Sequence, residues 1–239
     1  MFRFHGELND FLPHEQRKKV VVRHFRGNPS VKHLVEALQV PHTEVGRILA
    51  NDQMVDFSYL VQNGDSVDVH PAPNEYPGGR DFASEPGPGF VLDNHLGKLA
   101  TYLRIFGFDT LYRNDFHDDE LANIACRDGR ILLTRDRGLL MRKVISRGYC
   151  VRNKDPRQQI YEVVRRFDLL SKIQPFNRCL KCNSVLQPVE KQEILHRLEP
   201  LTRLYYNEFY ICPDCDQVFW KGSHYERMKR FLDTIRNGG

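Results

Sequence analysis

Between residues 90 and 151 the chain repeats one pattern: a short apolar run, an acidic residue, then apolar residues at helical spacing. Phe90-Val-Leu leads to Asp93, and Leu96, Leu99, Ala100, Leu103 and Phe106 follow at helical intervals until Gly107, where a residue free to take positive φ closes a helix. Phe108 to Tyr112 reads as the next strand, and His117-Asp-Asp-Glu120 opens a helix with Leu121, Ile124 and Ala125 on its apolar side. Asp128-Gly129 turns the chain into Ile131-Leu-Leu133, which ends at Thr134-Arg-Asp136. A helix carrying Leu139, Leu140, Val144 and Ile145 is broken by Gly148, Tyr149-Cys-Val151 forms a further strand, and a helix over residues 156–170 completes the series. Strands and helices that alternate over short connections fold as a parallel sheet covered on both faces. Ligands of such sheets bind at the carboxyl ends of the strands, so Asp93, Asp118 and Asp136, each at a strand-to-helix junction, define the candidate site.

Two smaller units flank this α/β domain, which is expected over residues 89–174. Residues 1–74 read as α+β: Val20 to Phe25 is strand-like, Asn28-Pro-Ser30 supplies a turn and an N-cap, and Val31, Leu34, Val35 and Leu38 form one helical stripe that Pro41 ends. Asn63-Gly-Asp65 then turns into the alternating strand Ser66 to His70, closed by Pro71. This order predicts a β-grasp, and the runs Val45 to Phe57 and Asn63 to Pro71 resemble the ubiquitin-like sulfur carriers of the thiamine and molybdopterin pathways. Sulfur carriers are activated at a free Gly-Gly carboxylate. Here Gly78-Gly79 is internal and Gly238-Gly239 follows a helical segment, so the unit reads as a binding module for a protein partner. Residues 75–88, rich in Pro and Gly, are expected to be a linker.

From Pro175 to residue 239 the governing feature is Cys179-Leu-Lys-Cys182 paired with Cys212-Pro-Asp-Cys215. Two residues between cysteines let a tight turn aim both sulfurs at one ion, and two such turns close a four-thiolate shell suited to structural zinc. A unit of about 60 residues has little core of its own, so the metal is expected to stabilise it. Cys126 and Cys150 fall on apolar segments and read as buried core residues.

The three acids admit two readings. Asp at a helix start is a common N-cap. Three carboxylates at one edge also repel unless a hard divalent cation, magnesium or manganese, joins them, and such an ion suits attack on a phosphodiester. Basic residues are concentrated in the same region: 26 Lys and Arg against 21 Asp and Glu fall after residue 80. Among those near the acids are Lys98, Arg104, Arg135 and Arg137, which are phosphate-binding candidates or solvated helix faces; Arg135 and Arg137 flank Asp136 directly.

Several stretches together carry a family resemblance: Asp93 with Gly97-Lys-Leu-Ala100 and Leu103-Arg104, Asp118-Asp-Glu-Leu121, Leu132-Leu-Thr-Arg-Asp-Arg137, Arg178-Cys-Leu-Lys-Cys-Asn183, and Cys212-Pro-Asp-Cys215 with Trp220-Lys-Gly-Ser-His224. Residues 90–236 resemble the RNase domain family first described at the carboxyl end of the Mut-seven exonuclease, a PIN-like nuclease fold with a carboxyl-terminal zinc ribbon. A ubiquitin-like domain ahead of it is a known arrangement. The resemblance implies metal-dependent cleavage of RNA, tRNA among the candidate substrates, with Asp93, Asp118 and Asp136 as magnesium or manganese ligands. Asp119 and Glu120 compete for the second ligand position. Trp220 and His224 are candidates for RNA contact through the ribbon, with packing against the zinc knuckle the alternative for Trp220.

The polar start Met1-Phe-Arg-Phe-His-Gly-Glu and the absence of a long apolar run predict a cytoplasmic protein without a membrane span. The rival function is a non-catalytic RNA-binding adaptor whose acids are structural.

Overall fold

A computed structural model describes residues 1–74 and 88–236. The expected linker, save residue 88, and Gly238-Gly239 lie outside the described residues.

The first sheet is built from β1 (Phe2–Phe4), β2 (Val20–Val21), β3 (Val45–Ala50), β4 (Gln53–Val55) and β5 (Val67–Pro71), with helix α1 (Val31–Ala37) packed on it. Its strand order is β2-β1-β5-β3-β4, and β1 with β5 is its parallel pair, as a β-grasp requires. Ser30 caps α1 by accepting from the His33 N–H at 3.3 Å, and Val31, Leu34, Val35 and Leu38 are buried. The strand expected to reach Phe25 stops at Val21, because β1 offers only Phe2 and Arg3 as partners and Val22 is already exposed.

The second sheet is wholly parallel. It comprises β6 (Phe90–Leu92), β7 (Thr110–Tyr112), β8 (Ile131–Thr134) and β9 (Gly148–Cys150) in the order β7-β6-β8-β9, connected by α2 (Gly97–Ile105), α3 (Asp118–Arg127) and α4 (Arg137–Leu140) and followed by α5 (Pro156–Arg166). Alternation along the strands sends Phe90, Leu92 and Leu133 into a core shared with α2 and α5, and Val91 and Leu132 into one shared with α3, α4 and the β-grasp residues Phe2, Leu8 and Phe11. The sheet is therefore covered on both faces, one of the two covers being the β-grasp itself. Gly107 ends the α2 region at φ 92°, where any Cβ would lie 2.1 Å from the Gln174 carbonyl oxygen.

Two expectations for this second domain are corrected. The helix drawn through Ile145 ends at Leu140: the Met141 N–H is shared between the Arg137 and Gly138 carbonyls and Arg142 and Ile145 donate back over three residues, a tightening that drops Ile145 into the core and leaves Val144 exposed. Cys126 is exposed, not buried, because α3 turns Leu121, Ala122 and Ala125 inward and Cys126 lies off that stripe. Cys150 is buried as expected.

The third sheet, β10 (Gln187–Val189), β11 (Phe209–Ile211) and β12 (Val218–Trp220), is antiparallel in that order, with α6 (Lys191–Ile194) and α7 (Pro200–Tyr205) between β10 and β11. Tyr205 closes α7, so the strand expected from Tyr205 begins only at Phe209. Helix α8 (Ser223–Arg236) returns to the second sheet, burying Leu232 and Ile235 and setting Phe231 5.3 Å from the Tyr102 ring centre. No helix among the described residues is long and apolar enough to cross a membrane.

Candidate functional site

The neighbouring strands β6 and β8 end side by side, and the chain leaves β6 for α2 on one face and β8 for α4 on the other. In open α/β sheets such a divergence is where the ligand crevice forms, at the carboxyl ends of the strands. Asp93 follows β6, its N–H donating to the Leu133 carbonyl at 3.1 Å, and is only 8% exposed. Its Oδ2 accepts from the Thr134 hydroxyl at 2.7 Å. The same hydroxyl accepts from the Asp136 N–H at 2.9 Å, and Asp136 Oδ1 in turn caps α4 by accepting from Gly138 N at 2.7 Å and, more weakly, Leu139 N at 3.4 Å. A fully buried threonine thus joins Asp93 to Asp136. Sequence reasoning passed over Thr134; its signal is a hydroxyl at the last position of an otherwise apolar strand, two residues before a capping acid.

Among the described residues neither Asp93 nor Asp136 forms an ion pair. One carboxylate oxygen of each accepts the bonds just described. Asp118 stands apart in the first turn of α3, 3.9 Å from the Arg142 guanidinium, which also binds Asp119, while Glu120 lies 3.7 Å from Arg113. Among the described residues the cysteine quartet is the group of three or more whose ligand atoms all lie within 4.8 Å of one another, and the three carboxylates are spaced more openly.

The four basic candidates divide in two. Lys98 and Arg135 are exposed. Arg104 is 5% exposed and donates to the carbonyls of Thr110, Leu180 and Lys181, so its guanidinium fixes the first cysteine turn and does not face an RNA surface. Arg137 likewise turns inward, donating to the Phe11 carbonyl at 2.9 Å with its guanidinium 5.0 Å from the Phe11 ring centre. Both placements have one cause: a long cationic side chain next to a domain junction satisfies carbonyls there.

The two cysteine turns share one backbone design. Asn183 and Asp216, each directly after its second cysteine, adopt φ of 76° and 59° and donate to the Cys179 and Cys212 carbonyls at 2.9 Å. The Cys179 and Cys212 N–H groups reach Ser184 and Gln217. All four Sγ atoms lie within 4.8 Å of one another. Tetrahedral zinc at about 2.3 Å from each sulfur asks for separations of about 3.8 Å, so the set could bind zinc.

Residues 88–232 match the model of the Mut7-C RNAse domain, which is more than half of the chain. The chain belongs to the Mut7-C RNAse domain family. Residues 1–76 match the Mut7-C ubiquitin domain. No curated protein and no solved structure matches the chain. The parallel sheet, the Asp93–Thr134–Asp136 chain and the cysteine quartet all fall inside the Mut7-C RNAse match, and the β-grasp falls inside the ubiquitin match. The two domains meet at Glu44, which is fully buried and accepts from Cys150 N at 2.6 Å and Arg152 at 3.0 Å. Burial pushes the Glu44 carboxyl up; the Arg152 guanidinium and the Cys150 N–H pull it part of the way back.

Proposed function

We propose that the chain is a metal-dependent ribonuclease that cuts RNA phosphodiester bonds at the carboxyl edge of the parallel sheet. The observation that carries this reading is the pair Asp93 and Asp136, joined through Thr134 and without a partner cation among the described residues. A nearly buried carboxylate is costly without a counter-charge, and a hard-oxygen donor set fits magnesium or manganese, with Asp118 the third candidate ligand. Such an ion, when bound, supplies the Lewis acidity that phosphodiester attack requires. Thr134 holds the Asp93 carboxylate in one rotamer, the α4 amides hold that of Asp136, and the exposed Arg135 beside them is the candidate phosphate anchor, with Lys98 on α2 further along. The cysteine quartet holds structural zinc, and its ribbon helps to bind RNA. The β-grasp domain meets a protein partner through surface that its intramolecular packing leaves free, which includes the exposed Met54 on β4. Free thiols fit action in the reducing cytoplasm.

The second reading, an RNA-binding adaptor, is favoured by Arg142 occupying Asp118 and Asp119 and by the open spacing of the three acids. Labelled tRNA and unstructured RNA, incubated with the full chain and Mn²⁺, separate the two. Asp136→Asn is the control, because asparagine caps a helix as well as aspartate does and the fold is retained. The nuclease reading expects metal-dependent products that the variant does not form. RNA binding without products from either protein, in Mg²⁺ as in Mn²⁺, would establish the adaptor.

A further inference from the structure

A cavity of about 620 Å³ lies between α2, the ribbon and α8. Its walls hold the rings of Tyr102, Phe176, Tyr210, Phe219, Trp220 and Tyr225. Three cations, Lys98, Arg178 and Lys221, complete its polar lining with Thr101, and no Asp or Glu lines it among the described residues. Lys221 is shared with Glu208 at 2.7 Å, and Arg178 donates to the Gly107 and Asn183 carbonyls, whereas Lys98 has no ion pair among the described residues.

Aromatic faces interleaved with cations, and no carboxylate, are the combination that binds unpaired nucleotides: rings stack on bases of any identity while cations meet the backbone. The volume falls within the range of about 300–1,000 Å³ of small-ligand sites, large enough for stacked rings and too small for a duplex. A duplex also keeps its base faces covered, so stacking selects unpaired bases. Trp220 is set for that task. Tyr206 and Phe209 stand at 6.5 and 6.4 Å from its ring centre, Gly222 passes so close that a Cβ would lie 2.8 Å from the indole nitrogen, and the side chain is still 40% exposed. The groove runs beside the helix that leads from Asp93: Lys98, in its lining, is the second residue of α2 and lies within two helical turns of Asp93 along the chain.

We infer that this groove is a base-stacking subsite that receives unpaired nucleotides of an RNA strand flanking the bond presented at Asp93 and Asp136. The inference deepens the nuclease reading and rests on it for the position of the scissile bond, but the binding itself is read without cleavage. Trp220 is the sole tryptophan of the chain, so its emission reports on the groove alone. The full zinc-loaded chain, with no other divalent metal added, is titrated with a single-stranded oligouridylate, a duplex RNA of equal length, and polyglutamate. The expected result is quenching by the single strand at concentrations where duplex and polyglutamate give none, with Lys98→Gln weakening that affinity several-fold. In a separate binding assay with labelled oligonucleotide, Trp220→Leu weakens it about tenfold, the loss of one stacked base. If the leucine variant loses zinc, the lysine variant, whose side chain is on the surface of α2, carries the test. Equal quenching by single strand and duplex, or quenching by polyglutamate, overturns the inference. So does cleavage of RNA with Trp220 emission unchanged, which would leave the nuclease reading standing; quenching by the single strand with no cleavage in any metal would leave the groove and remove the nuclease.

Discussion

The parallel sheet is gripped on two sides, and each grip contains one acid, wholly buried in the first and half-buried in the second, used in the opposite sense. On the β-grasp side, Glu44 is wholly enclosed and meets one guanidinium and one amide. On the ribbon side, Asp109 is 33% exposed and meets both arms of the Arg130 fork at 2.8 and 3.1 Å and the Asn183 amide at 2.8 Å. Burial dominates at Glu44 and raises its pKa. At Asp109 burial also pushes upward, but the Arg130 and Asn183 hydrogen bonds outweigh it and the pKa falls. Where enclosure is complete and the donors are two, burial prevails; where it is partial and the donors are three, the hydrogen bonds prevail.

The ribbon side should break most completely through the proposed zinc. Cys212 is fully buried, and Cys212→Ser or a strong chelator would remove an ion that in such units contributes on the order of 10 kcal/mol to folding. Zinc release should free α8 and expose the amides of β10 to β12 to hydrogen exchange, while β1 to β5 keep their protection. Loss of protection in both regions together would mean that the two grips are one cooperative unit.

The β-grasp side should break next. Glu44→Ala leaves the Arg152 guanidinium, largely enclosed, with only the longer Asp10 contact at 3.6 Å, a change that costs about 3 kcal/mol. Urea unfolding followed through β-grasp and ribbon probes separately should show the loss in the first. Adding Arg152→Met to Glu44→Ala should recover part of it, since the stranded charge is then gone.

Proton linkage sharpens the contrast with smaller effects. Glu44, raised in the folded state, contributes most below the ordinary glutamate value of 4.5, and its contribution declines as pH climbs from there through the raised folded value. Asp109, lowered in the folded state, contributes fully above its ordinary 3.8 and loses that contribution as pH falls through the depressed folded value. Stability curves of the parent against Glu44→Gln and against Asp109→Asn isolate each contribution from the other titrations of the chain. The two difference curves should slope in opposite directions; slopes of the same sign would refute the assignment at one of the two sites.

The same contrast explains what could be read in the sequence. The helical stripe of α1, the buried run Phe90-Val-Leu92 and the paired cysteine turns each carry a pattern within a few residues, and that local spacing announces them. Glu44 did not stand out. A lone acid between Thr43 and Val45 looks like any surface residue, and its burial depends on Arg152, 108 residues away. Arg104 and Arg137 looked like phosphate ligands for the same reason: their carbonyl partners, Leu180 and Phe11, come from other units. Thr134 was legible only as the end of a strand, because its role needs β6 and β8 side by side.

The two arginines that flank Asp136 give the finest test. They are adjacent to one acid in sequence, yet Arg137 is turned into the β-grasp junction and Arg135 into solvent. Arg137→Ala forfeits a hydrogen bond and a cation–π contact with Phe11, about 1–2 kcal/mol together, and the loss should register in the urea midpoint of the β-grasp probe. Arg135→Ala removes no contact among the described residues, so its midpoint should stay within about 0.5 kcal/mol of the parent. Its effect belongs to RNA: one fewer phosphate contact lowers the salt slope of single-strand binding by about 0.7. Arg137→Ala should leave that slope where it is. If the two variants exchange these signatures, Arg137 leaves the junction in solution to meet the RNA, and the β-grasp grip rests on Glu44 without it.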